Sequence, residues 1–146
     1  MFRIPLLALC FTLASSPLLV AQEDLPRLEE GLKAVDAGAS PARQRLAVRR
    51  LIRNAEKALD EAGDKPERWP LLEFLFRARQ QLIKLDDDSK HRAEMLATCR
   101  ELVKAPDEFA ELRLHADLLL SQVDQARKGD SPAARAEALR PFVARY

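Results

Sequence analysis

The chain has 146 residues, 24 Lys and Arg against 23 Asp and Glu, and 5% aromatic residues. So balanced a charge excludes general attraction to nucleic acid or to a membrane surface, which needs a basic excess. Two cysteines, Cys10 and Cys99, bound the disulfide count at one.

The first residues, "MFRIPLLALCFTLASSPLLVAQED", place one cation (Arg3) before an apolar stretch that closes on "LVA" ahead of charge. That is the order of a secretory signal peptide, with cleavage expected after Ala21. Pro5 and Pro17 interrupt the stretch, which is short for a spanning helix. Cys10 follows Leu9, so the small residue that precedes a lipid-modified cysteine is missing. The expected location is therefore periplasmic or secreted, with membrane attachment only if the segment stays uncleaved. Removing it takes Arg3 away, brings the formal charge from +1 to zero, and leaves Cys99 as the lone thiol. The expected organisation is a signal peptide over 1–21, a short leading helix and linker over 22–40, and a helical-hairpin domain over 41–146.

The remainder predicts six helices, over 26–37, 41–62, 70–85, 89–104, 107–128 and 132–145. Gly38, Gly63 and Gly129 follow helical stretches, where a left-handed residue closes a helix. "SP" at Ser40–Pro41 and Ser131–Pro132 reads as an N-cap followed by a first helical residue. In the second helix Val48, Leu51, Ile52, Ala55, Leu59 and Ala62 recur at steps of three and four, one buried stripe. The third carries Leu71, Leu72, Phe74, Leu75, Phe76, Leu82, Ile83 and Leu85 around more than half its girth, so neighbours should enclose it. Pro70 sets its start, with Trp69 extended just before. In "DDDSK", Asp88 is the expected N-cap of the fourth helix; an EF-hand glycine and distal glutamate are missing. The fifth has a main stripe (Phe109, Leu112, Ala116, Leu119, Val123) and a thinner one (Leu114, Leu118), which places it inside a stack. In the last, "RAEALRPFVARY" puts Ala138, Leu139, Phe142, Val143 and Tyr146 on one broad arc, with Pro141 expected to kink it. That arc either packs inward on the fifth helix or docks a partner or a continuation of the chain. β-branched alternation and Asn-Gly or Asp-Gly turns are lacking, so the fold is all-α: antiparallel hairpins stacked side by side, as an α-solenoid fragment or an irregular bundle.

The segment "RAEMLATCRELVKAPDEFAELRLHADLLLSQVDQARKGDSP" pairs two amphipathic helices with alanines at close-contact positions, and "GDSP" opens the next unit. In this it resembles a tetratricopeptide hairpin, although helix starts at 41, 89 and 132 depart from the 34-residue period. The resemblance implies a partner-binding scaffold. The layout also looks like exported proteins that join a helical leader to a thioredoxin-like domain, though no Cys-x-x-Cys is present.

Catalytic chemistry finds little footing. Cys99 lies among Met95, Leu96, Leu102 and Val103 at helical spacing, which predicts an inert core thiol. His91 and His115 sit on different helices without further ligands at zinc spacing, so no metal is expected. Nor does any glycine-rich phosphate loop call for a cofactor. Arg45, Arg49, Arg53 and Lys57 recur at steps of four with Arg50 alongside. Such a line is either offset by acids on a neighbouring helix or faces an anionic partner. The expected function is a non-enzymatic exported scaffold that binds a protein through Arg45, Arg49, Arg50, Arg53 and Lys57 and through Phe142, Val143 and Tyr146. The alternative is the non-catalytic helical part of an exported thioredoxin-like oxidoreductase.

Overall fold

A computed structural model describes residues 18–35, 37–129 and 131–145, with side chains from residue 24 onward. The expected signal segment as far as residue 17, and Tyr146, lie outside the described residues. The helices are α1 (Leu18–Lys33), α2 (Pro41–Ala62), α3 (Arg68–Leu85), α4 (Ser89–Leu102), α5 (Ala110–Lys128) and α6 (Pro132–Val143). A single 3₁₀ turn, Asp107–Phe109, leads into α5, and no strand occurs among the described residues. Each helix packs on its neighbours in the chain, and α1 also reaches α3, so short loops lay the hairpins side by side.

Local chemistry sets most of the boundaries. Asp88 caps α4, accepting from the Lys90 amide at 2.8 Å, and that bond holds its carboxyl below the usual carboxylate range. Ser131 caps α6 by accepting from the Ala134 amide at 3.1 Å. Gly63 closes α2 with φ of 58°, a conformation that side chains resist. Gly31 has a different role: a Cβ there would stand 2.7 Å from Leu51 Cδ2, so its bare backbone lets α1 lie close on α2.

Two expected boundaries are corrected. Helix α1 starts at Leu18, not at 26, and carries Pro26 inside it at the cost of one ladder bond. Helix α3 starts at Arg68, so Trp69 is helical where an extended residue was expected. Pro70 falls in the first turn, where an amide has no intrahelical acceptor to lose. Trp69 is also held there by its surroundings: the Arg68 guanidinium lies 4.9 Å from its ring and the Phe109 ring 6.4 Å away.

The apolar residues gather in two clusters. The first joins Leu28 of α1, Val48, Ile52, Ala55, Ala58 and Ala62 of α2, and Leu71, Phe74, Leu75, Ala78 and Leu82 of α3. The second joins Leu72, Cys99, Leu102 and Ala116, with Trp69, Phe76, Leu112, Leu119 and Leu120 against it. Helix α3 therefore serves both, as its wide apolar girth demands.

Phe74 is fully buried whereas Val143 is 70% exposed. Phe74→Ala is expected to lower the unfolding free energy by about 3–5 kcal/mol. Val143→Ala should stay within about 0.5 kcal/mol of wild type. Urea melts followed by circular dichroism measure both.

Candidate functional site

Helix periodicity divides the arginine line of α2 into two parts. Four residues turn an α-helix through about 400°, so a line at steps of four drifts about 40° per step. Arg49 leans toward the start of α4, Arg53 lies at the rim of the α2–α4 cleft, and Lys57 faces solvent. Arg49 is taken up internally: its Nη2 donates to Asp86 Oδ2 at 2.9 Å and lies 3.2 Å from His91 Nε2. Arginine has only donors, so a hydrogen bond across that contact uses the lone pair of Nε2. Nδ1 is buried without a hydrogen-bond partner, 3.8 Å from Glu94 Oε2. Arg49, His91 and Glu94, with Arg53, Glu56, Asp88 and Lys90, line a cleft of about 400 Å³ between α2 and α4. Acids and bases alternate along it, so it presents no single sign of charge to a ligand.

Arg50 and Arg53 are exposed and without an ion partner among the described residues, as is Arg43, which precedes the expected line. Arg45 is half-buried and likewise unpaired. Lys57 meets only Glu61 of its own helix, at 3.7 Å, with both groups largely in solvent. Neighbouring acids thus offset one arginine of the line and leave the others.

On α6, Ala138 is buried against α5 and Phe142 is half-buried, while Val143 turns outward at 70% exposure. The helix runs through Pro141 to Val143. Beyond it, Arg145 Nη1 binds Asp117 Oδ2 at 2.6 Å, and Asp117 is 6% exposed. The end of the described chain is therefore fastened to α5 by an ion pair as well as by its apolar arc.

Helix α5 lies inside the stack as expected, between α4 and α6, but its thinner stripe is left uncovered. Leu112, Ala116 and Leu119 of its main stripe pack in the second cluster, but Leu114 and Leu118 remain 37% and 36% exposed. Phe76 and Gln80 of α3, with His115, Leu118, Leu119 and Gln122 of α5, line a groove of about 330 Å³. The α6 side of α5 is occupied through Asp117 and Ser121, both buried, so the leucines at the remaining edge stay bare.

The lone described thiol lies inside the second cluster. Cys99 is fully buried, and desolvation pushes its thiol up to about 11. The two histidines stay apart: His91 is buried at the α2–α4 cleft and His115 is exposed on α5. Among the described residues no group of three or more His, Cys, Asp or Glu side chains is placed to hold a metal.

One charged group that the sequence reading passed over is central to the packing. Arg79 of α3 binds Glu56 of α2 at 2.6 Å and the hydroxyl of Thr98 and carbonyl of Glu94 of α4. Its position one turn after Leu75 and before Leu82, inside the apolar arc, was the available signal.

No protein-family model, curated protein or solved structure matches this chain.

Two measurements follow from these placements. Native Cys99 should resist a small thiol reagent and react at once in denaturant; prompt labelling of the folded chain would contradict its burial. Arg49→Glu sets a carboxylate against Asp86 and should cost about 1–2 kcal/mol, whereas Arg53→Glu should be nearly neutral. Paired denaturation curves read the difference.

Proposed function

We propose that this protein is a non-enzymatic helical scaffold of exported type, and that its α3–α5 groove receives a protein partner. The observation that carries this reading is the exposure of Leu114 and Leu118 beside that groove, on a helix whose other apolar side is buried. Two leucines one helical turn apart form a strip that a partner side chain can cover, while Phe76 and Leu119 supply apolar lining. Gln80 and Gln122 at the same groove bring neutral amides, which can donate to and accept from the backbone of an extended or helical segment. The partner that fits is a neutral segment with one bulky apolar side chain, not a charged one. The leading "RIPLLALCFTLASSPLLVA" supports placement outside the cytoplasm. The tetratricopeptide-like pattern of 92–132 supports a binding role over a catalytic one, and so does the full burial of Cys99.

The test replaces Gln80 by a photo-crosslinking residue in the full chain, expressed in its own host. Irradiation should yield one discrete adduct in the envelope fraction, lost on adding Leu118→Asp, with the helical circular dichroism unchanged. Absence of an adduct, or one that survives Leu118→Asp in a folded protein, would overturn the reading.

A further inference from the structure

We propose that the solvent face of α2 is a docking surface for an anionic phospholipid bilayer. Arg43, Leu46, Arg50, Arg53 and Lys57 follow one another at steps of three and four. At about 100° per residue they share an arc of about 80°, opposite the buried stripe of Val48 and Ala55. The row extends about 21 Å along the helix. Leu46 is 56% exposed within it, and the three arginines have no ion partner among the described residues. Asp60 and Glu61 follow Lys57 and end the row.

Whole-chain neutrality conceals this local excess, because about half of the other described cations are taken up in pairs such as Arg77–Glu29, Arg79–Glu56, Arg92–Asp87 and Arg145–Asp117, and the rest are scattered over the other elements. The shape of the face favours lipid over an acidic protein. The clefts flanking α2 take in Lys57 on one side and Arg53 on the other, and neither includes Arg43, Leu46 or Arg50. A protein partner binds tightly through an anchor seated in a pocket. A charged plane needs only a straight row of cations, and an exposed leucine can dip beneath the headgroups. Each basic side chain at such a surface strengthens binding about fivefold, so four give a weak, salt-sensitive attachment. Among the described residues no helix is long and apolar enough to cross a membrane, and the contact proposed for α2 is a peripheral one.

The full chain is sedimented with vesicles of pure phosphatidylglycerol or pure phosphatidylcholine at low salt. Wild type should partition onto the anionic vesicles, release as salt rises, and ignore the neutral ones. Arg50→Glu with Arg53→Glu should weaken partition at least tenfold. Arg127→Glu with Arg135→Glu makes the same change in net charge on other helices and should have little effect. Circular dichroism confirms that both variants are folded. Equal loss in the two variants, equal binding to both lipids, or binding that survives the α2 reversal would each overturn the proposal. Failure to bind vesicles together with α2-dependent binding of polyglutamate would overturn it in favour of an acidic protein. The α3–α5 groove takes no part in these outcomes, so its fate is decided separately.

Discussion

Helix α3 has to satisfy two hydrophobic clusters at once, and the arrangement of the other helices follows from that demand. Leu71, Phe74, Leu75, Ala78 and Leu82 face α1 and α2, while Leu72 faces α4 and α5 with Trp69 and Phe76 beside it. A helix apolar around so much of its surface cannot lie at a boundary; it must be sheathed. With α2 on one side and α4 on the other, the chain is left to add α1 outside one cluster and α5 outside the second. Leu59 of α2 touches both clusters and joins them. Small residues allow the close approaches: Ala55, Ala58 and Ala78 are buried in the first cluster, and Gly31 admits Leu51.

Charged groups inside this packing are placed with restraint. Arg79 joins α2, α3 and α4 through Glu56, Thr98 and the Glu94 carbonyl. Pairs with one partner buried in this way gain little net stability, since desolvation offsets much of the attraction. Their effect is to penalise misregistered packing, in which a guanidinium would be stranded without partners. Asp117 and Arg145 act similarly at the other end, fixing how far α6 slides along α5. Arg49, Asp86 and His91 form a looser third cluster, half in solvent, that ties the start of α4 to α2.

Features carried by local chemistry were legible in the sequence. The Asp88 cap, the Ser131–Pro132 start and the glycine closing α2 depend on residues within a turn of one another, and all appear where expected. Cys99 was legible as a core thiol because its own helix surrounds it with apolar neighbours. Distant partners were not legible. Arg49 meets an acid 37 residues away, and nothing along α2 distinguishes it from Arg53. The arginine line was drawn at steps of four, which miss Arg43 and include Arg49, because a single step length ignores the drift of the helix. Trp69 was misplaced because the rule against helix before proline weakens in a first turn, where tertiary contacts decide. The place of α5 inside the stack was legible, but not the exposure of Leu114 and Leu118, since a second apolar stripe shows that a surface exists but not that this chain covers it.

The order of contacts along the chain also has a kinetic meaning. Almost every interhelical contact joins consecutive helices, with α1 on α3 as the main exception. Little loop-closure entropy is spent before such contacts form, so folding should be rapid and spread outward from the α2–α3 hairpin. The same linearity makes cooperativity uneven. Helix α6 touches α5 and buries Ala138 alone, so it should open and reclose many times while the α2–α3 hairpin remains shut.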